Sequence, residues 1–189
     1  METKNKFKNG FTLIETLVAV AIFSMSILGL LSVMASGITN TTYAKNKIIA
    51  GYLAQEGIEY MRNIRDNDVL YPIHNGTAGW TTFTGALAAC SNNSNNSCGF
   101  DGSVTPTNTI TFNKCSAEAT NCQLYLRIGN YDDNASTGNP SGFTRKVWMT
   151  TVNASEIKIF SEVDWRQGSN SYNIVFSENL YNWEQSTGY

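Results

Sequence analysis

The sequence is short of the residues on which enzymes usually depend. It contains one histidine, His74, and three prolines, and only 15% of its 189 residues are charged. It has no Gly-rich phosphate loop, no His-Glu-x-x-His and no Gly-x-Ser-x-Gly motif. A lone His close to Pro72 is better explained as a surface loop residue than as a general base. We therefore expect no catalytic residue, no cofactor and no metal.

A concentrated positive charge is also absent. The formal net charge is −2, and no cluster of Lys or Arg stands out. Because nucleic-acid binding usually needs a basic face, we expect no nucleic-acid partner. Asp132, Asn134 and Ser136 weakly resemble a calcium loop, but the Gly and the distal Glu of such a loop are misplaced. A solvated turn is the better interpretation.

The N-terminus combines a basic leader with a long apolar run that contains one acid. Residues 11–31 are predominantly apolar, and Glu15 is the one charged residue among them. About twenty residues at about 1.5 Å each reach about 30 Å, the thickness of a bilayer's hydrocarbon core. A carboxylate in such a span costs on the order of 3 kcal/mol. We therefore expect Glu15 to gain a partner for its charge after insertion.

The run Gly10-Phe11-Thr12-Leu13-Ile14-Glu15 resembles the processing site of type IV prepilins and pseudopilins. The resemblance implies that a prepilin peptidase cuts between Gly10 and Phe11 and methylates the new amine of Phe11. It also implies that Glu15 meets the terminal amine of a neighbouring subunit when helices pack into a filament. Opposite charges attract strongly in a low-dielectric bundle, and each offsets the desolvation cost of the other. The chain departs from the family pattern at Asn9, where Lys or Arg is usual.

Two other interpretations of the N-terminus stay open. A secretory signal peptide could be cut after Val33-Met34-Ala35, but its apolar stretch would exceed the usual length of about 7–15 residues. A plain signal anchor would leave Glu15 without a role. No Cys lies near the apolar run, so we expect no lipid-modified amino terminus.

The charges of the leader predict the orientation of the precursor. Lysines before an apolar span stay in the cytoplasm, so the chain after about residue 35 is exported. The lysines concerned are Lys4, Lys6 and Lys8. The resemblance implies a single-pass precursor in the cytoplasmic membrane, whose partners are other pilin or pseudopilin subunits and the inner-membrane assembly platform. The product would reach a cell-surface pilus or a periplasmic pseudopilus.

Hydrophobic periodicity predicts an α+β fold, in which one long N-terminal helix packs on a C-terminal antiparallel sheet, as in pilins. We divide the chain into a leader (1–10), the membrane half (11–35) and amphipathic half (36–66) of the helix, a loop-rich region (67–142), and a β-meander with its tail (143–189). The helix is expected to end near Arg65, before Asp66-Asn67-Asp68. Its apolar stripe comprises Ile49, Leu53, Tyr60 and Ile64, with Ile48, Tyr52 and Met61 beside them.

Alternating apolar residues predict strands in the second half of the chain. We expect strands at 122–128, 143–151, 156–165 and 172–176, a short strand near 109–112, and a loop at 131–140. The predicted inward residues are Leu124, Leu126, Ile128, Ile157, Ile159, Val163 and Trp165. A turn at 167–170 joins the last two strands. Leu180 and Trp183 are expected to pack back onto the core.

The four cysteines form two close pairs in a segment that should be exported, where disulfides persist. Sequence alone allows three connectivities. We favour Cys90–Cys98 and Cys115–Cys122, because each bond would close a polar excursion that has little to bury. Four free thiols remain an alternative. A four-thiolate metal site is a weak one, since no Cys-x-x-Cys spacing occurs.

These observations favour a structural protein, a subunit of a type IV pilus assembled through its N-terminal helix. The loop-rich region and its Cys pairs suggest a minor subunit. A minor pseudopilin of a type II secretion system is the nearest alternative. A membrane-anchored adhesive domain that binds a ligand through residues 71–142 is an alternative of another class.

The exported protein is predicted to begin at Phe11 with a methylated amine. Amino-terminal sequencing or intact-mass measurement of the exported chain checks this. A start at Ser36 would show a conventional signal peptide, and a start at Met1 would show an uncleaved anchor.

Overall fold

The computed structural model describes residues 10, 12–70, 79–100, 112–115, 122–132 and 138–183. The chain divides into two compact units, Met1–Ala44 and Lys45–Tyr189. Its elements, in chain order, are α1 (Leu13–Leu70), α2 (Gly79–Ala86), a 3₁₀ turn (Ser94–Asn96), β1 (Cys98–Phe100), β2 (Phe112–Lys114), β3 (Gln123–Arg127), β4 (Asn130–Asp132), β5 (Asn139–Asn153), β6 (Glu156–Gln167) and β7 (Asn170–Tyr181).

The seven strands form one antiparallel sheet with β5 at its centre. One edge of β5 pairs with β6, which pairs in turn with β7. The other edge of β5 pairs with both β1 and β3, which carry the short outer strands β2 and β4. Apolar side chains of α1, α2 and the sheet form the core between them. This arrangement confirms the predicted α+β, pilin-like architecture.

The predicted period of two is confirmed along β6. Ile157, Ile159, Val163 and Trp165 are buried, and so is Ser161 between them. Aromatic pairs reinforce the ladder on both faces of the sheet: the Trp148 and Phe160 rings stack at 5.1 Å, and Trp165 and Tyr172 stack at 5.6 Å. Such cross-strand pairs add to the stability of a sheet beyond area burial.

The turn predicted at 167–170 is present as a two-residue hairpin. Gln167 pairs with Asn170, and Gly168 has φ +61°, a conformation that suits glycine. The strands on either side are longer than predicted, since β5 begins at Asn139 and β7 reaches Tyr181. Leu180 is buried as expected, whereas Trp183 is 46% exposed and does not join the core.

The predicted apolar stripe of α1 is partly wrong. Leu53, Met61 and Ile64 are buried, but Ile48 and Tyr52 are 60% and 70% exposed. Tyr52 and Met61 are nine residues apart, which is two and a half turns, so they lie on opposite sides of the helix. The predicted stripe had combined residues from two opposite faces of α1. Small residues that carry no strong periodic signal complete the buried face, namely Ala50, Ala54 and Gly57.

Helix α1 also ends later than predicted, at Leu70. Asp66 and Asp68 lie inside it, although they carry the negative charge that the end of a helix disfavours. The last turn is held by packing: Val69 is buried, and Gly79 of α2 lies directly against the backbone of Asp68 and Val69. Tertiary contact therefore overrides the local stop signal.

The region predicted to be loop-rich contains real elements. Helix α2 places Trp80 and Phe83 in the core, and Leu87, directly after the helix, joins them. The Trp80 indole nitrogen donates to the carbonyl of Ala154, at 3.0 Å. Strand β2 starts at Phe112, the last residue of the predicted short strand. Asn130–Asp132 forms β4, although a loop was predicted from residue 131.

Strand β3 corrects a second face assignment. Leu124 is buried, but Leu126 is exposed and Ile128 is 94% exposed. Ile128 has φ +46°, so it belongs to the turn after the strand, and the alternation ends before it. His74, Asn134, Ser136 and residues 109–111 lie outside the described residues.

Both local disulfides are formed, Cys90–Cys98 and Cys115–Cys122. Cys90 and Cys98 are fully buried in the core cluster. The polar loop between them is held against β5, because Met149 donates its amide to the Cys90 carbonyl at 2.9 Å and accepts one from Asn92 at 2.8 Å. The disulfide bond thus closes a loop whose two ends already contact the sheet.

Close approach of α1 to the sheet generates the first structural prediction. A Cβ at Gly57 would overlap with Ser161 Oγ and lie 3.4 Å from Arg145 Cδ. Gly57→Ala should therefore destabilise the fold by about 1–3 kcal/mol, although Ala is the better helix former by about 1 kcal/mol. Urea unfolding followed by tryptophan fluorescence measures this.

The matched control is Gly85→Ala, in α2, where an added Cβ meets nothing within 4 Å. It should leave stability unchanged or raise it slightly. Equal effects of the two substitutions would contradict a close-packing role for Gly57.

Asp68 generates a prediction that depends on pH. Burial raises its pKa, so the folded state penalises the charged carboxylate. The penalty is absent below about pH 3.8, where both states are protonated, and grows as pH rises through the unfolded and then the folded pKa. Asp68→Asn should thus raise Tm at pH 7 and give no gain at pH 3. Asp66→Asn, which loses an ion pair with Arg65, should give no gain at either pH.

Candidate functional site

The first turn of α1 holds the acid that the sequence singles out. The Thr12 carbonyl accepts the amides of Glu15 and Thr16 at 3.1 and 3.2 Å, so Thr12 caps the helix that begins at Leu13. Glu15 thus lies in the first turn, where the positive end of the helix dipole favours an anion. Phe11 and residues 1–9 lie outside the described residues.

The apolar half of α1 presents its side chains outward all round. Its window of greatest hydropathy averages 2.5, and none of that window is buried. Among the described residues, α1 is the one helix long and apolar enough to cross a membrane. The exposed side chains include Leu17, Val20, Phe23, Leu28 and Leu31. A face of this kind needs lipid or other helices around it.

Several hydroxyl groups of this half are satisfied inside the helix. Ser24 and Ser26 donate to the carbonyls of Val20 and Ile22, at 2.8 and 2.9 Å. Thr16 likewise donates to the Leu13 carbonyl at 2.9 Å. In hydrocarbon an unsatisfied hydroxyl would be costly, so these bonds make the segment compatible with a membrane or a dry helix bundle.

Glu15 differs from these hydroxyls because nothing in the described part of the chain neutralises it. No salt bridge or side-chain hydrogen bond to Glu15 occurs among the described residues. Along the sequence, the next charged residue after Glu15 is Lys45. The charge of Glu15 therefore has no cation nearby on the described part of α1.

The unit Lys45–Tyr189 contains ion pairs that fasten α1 to the sheet. Arg62 bridges Glu59 and Glu178 with distances of 2.7 and 2.5 Å. The hydrogen bonds that Arg62 donates to the Glu178 carboxylate are the main cause that raises the pKa of Arg62. Arg145 is buried, pairs with Glu56 at 3.0 Å, and lies 4.4 Å over the Phe100 ring.

Sequence reasoning missed the role of Arg145. Along β5, the residues that face α1 alternate as Phe143, Arg145, Val147 and Met149. A cation at one position of an otherwise apolar series was the available signal, since a buried Arg needs an acid opposite it. These pairs explain how the helix is positioned on the sheet.

The open hollows beside α1 fit a structural interpretation. Two lie along its polar side, with volumes of about 390 and 370 Å³, and charged or polar side chains form much of their lining. In the part of the chain that the structure describes, no three His, Cys, Asp or Glu residues are grouped to hold a metal.

Comparison with known protein families gives one match. The model of the prokaryotic N-terminal methylation motif matches residues 5–31. These residues include Gly10, the acid at position 15 and the exposed apolar start of α1. Comparisons with curated proteins and with solved structures found no match.

Proposed function

We propose that this chain, which carries the N-terminal methylation motif of type IV prepilins and pseudopilins, is a structural subunit of a pilus-like filament. The observation that carries the proposal is the motif at residues 5–31, continuous with a helix whose apolar half is wholly exposed. Such a helix can anchor the precursor in a membrane and later pack among other helices.

Processing by a prepilin peptidase would occur between Gly10 and Phe11. Gly10 is exposed, and a Cβ there would meet no described atom within 4 Å, so no contact with the described residues explains a glycine at that position. The cut would create the terminal amine on Phe11, which methylation would keep as a cation.

Assembly would bring that amine to Glu15 of a neighbouring subunit. The carboxylate has no partner among the described residues of its own chain. Pairing in a dry bundle removes two desolvation costs at once, and leaving either charge alone is strongly unfavourable. The bulk of the protein, Lys45–Tyr189, would form the outer part of the filament.

The finer assignment that we favour is a minor pilin. Between α1 and the long strands the chain inserts α2, four short strands and two disulfide-closed loops. A segment with these additional elements favours a subunit that has a specialised role in the filament. A type II secretion pseudopilin and a membrane-anchored adhesive domain remain the alternatives. Analysis of sheared filaments separates them, because an anchored monomer would be absent from purified pili.

Replacing Glu15 tests the assembly step. Glu15→Ala should leave cleavage after Gly10 intact and reduce incorporation into filaments by about tenfold or more. The reason is that the terminal amine of the neighbouring subunit would be buried without an anion to pair with. The measurement is immunoblotting of sheared filaments against whole cells, with mature size as the check on processing.

Glu15→Gln is the matched control for size and packing. It should fail as Glu15→Ala does, because only the charge is removed. Normal incorporation of either variant would count against charge pairing.

A further inference from the structure

Strand β7 forms a long, open edge of the sheet. It runs for twelve residues, Asn170–Tyr181, and pairs with β6 alone among the described strands. The outer strands on the far side of the sheet, β2 and β4, have three residues each. Natural edge strands are usually short or carry Lys, Pro or a bulge, which hinders the addition of another strand. Strand β7 contains no Lys, Arg or Pro, and its register with β6 is continuous. It therefore lacks the usual protection of an edge.

The hydrogen-bond pattern shows which backbone groups of β7 stay unbonded. Facing residues of antiparallel strands alternate between pairs that exchange two backbone hydrogen bonds and pairs that exchange none. The Asn182 amide donates to the Ser155 carbonyl at 2.8 Å, and this fixes the alternation, so the even-numbered residues of β7 bond to β6. The odd-numbered residues direct their amides and carbonyls outward along the free edge, and all of them are exposed. They are Ser171, Asn173, Val175, Ser177, Asn179 and Tyr181.

One of the two hollows beside α1 adjoins this edge. Its volume is about 370 Å³, and its apolar lining comes from Ile58 of α1 and from Val175 and Phe176 of β7. Phe176 lies opposite Ser161, on the side of the sheet that faces α1, but is 37% exposed. A strand added to β7 would lie about 4.8 Å from it, and every second side chain of that strand would point toward α1. Such side chains would enter the hollow and cover Phe176.

We propose that the free edge of β7 binds an extended segment of a different protein, which adds to the sheet as a further strand. The backbone of β7 specifies this kind of partner, since an extended chain matches amides and carbonyls that recur at every second residue. The proposal concerns the unit Lys45–Tyr189 alone and does not require the filament role.

The charges beside the hollow specify the partner further. Arg62 pairs with two acids, Glu59 and Glu178, so this group keeps one net negative charge. Glu59 is about half exposed and lines the same hollow. A basic side chain at an inward position of the added strand would neutralise that charge. The β7 strand of a second copy would bring no cation, since its one charged residue is Glu178. We therefore assign the edge to a different protein, whose segment places apolar and basic side chains inward.

Proline at the free edge tests the backbone contact. Val175→Pro removes an outward amide that β6 does not use, so the fold should tolerate it, whereas an added strand would lose a bond and meet the proline ring. Val175→Thr keeps the amide and is the matched control. The full chain is produced in its own cells with the photoreactive residue benzoylphenylalanine in place of Ser177, and the cells are irradiated.

We expect a covalent product with a different protein, whose linked peptide carries a basic residue and alternates in polarity. Val175→Pro should lower the yield of this product about tenfold, and Val175→Thr should leave it within about twofold. The Tm of each variant checks its folding. Equal yields from two folded variants would overturn the proposal.

A second variant decides the matter even where Val175→Pro does not fold. Glu59→Lys changes one half-exposed side chain and should lower the yield about fivefold, because the basic residue of the partner would then meet a cation. An unchanged yield would overturn the charge assignment. A product that holds only copies of this chain, or no product at all, would overturn the proposal of a different protein. None of these results bears on the filament role, which depends on amino-terminal processing and on the composition of sheared filaments.

Discussion

The proposed assembly depends on one carboxylate in an apolar helix, and that carboxylate has no partner among the described residues. Glu15 lies in the first turn of α1, and the sequence has no further charge until Lys45. The helix dipole offsets part of the cost of that charge, but a dipole is worth only about 0.3–1 kcal/mol, less than the roughly 3 kcal/mol that insertion costs. Under the proposed function, this deficit would make the isolated chain in the membrane less favourable than the assembled one. A neighbouring chain that brings a cation would offset the cost of the Glu15 charge and favour assembly.

Helix α1 meets two different demands in one continuous element. Its first half satisfies several of its own hydroxyl groups and exposes a mainly apolar surface, which suits lipid or other helices. Its second half must approach a sheet closely enough for Gly57 to lie on Ser161, and it is fixed there by Arg62 and Arg145. Gly57 costs helix propensity, and the close contact with the sheet compensates for it. The charged pairs place the helix without forming a reactive site.

Sequence reasoning succeeded where one face of an element is buried by a single partner. Strand β6 alternates, apart from the buried Glu162, because the sheet has one side toward α1, so its inward residues were predictable. It failed where burial depends on distant parts of the chain. The stripe of α1 merged Tyr52 with Met61 because both are large, whereas the true contact face is marked by small residues such as Ala54 and Gly57. Helix α2 was missed since eight residues are too few for a periodic signal, and Ile128 was misplaced by a turn that only the backbone reveals.

The surplus apolar residues of α1 then acquire a physical meaning. A soluble monomer gains nothing by exposing Ile48 and Tyr52 on a helix whose other side is already packed. Their cost is recovered only if another surface covers them, and in the proposed filament neighbouring subunits would supply such a surface. Periodicity alone could not separate the two faces of α1, because large apolar residues occur on both.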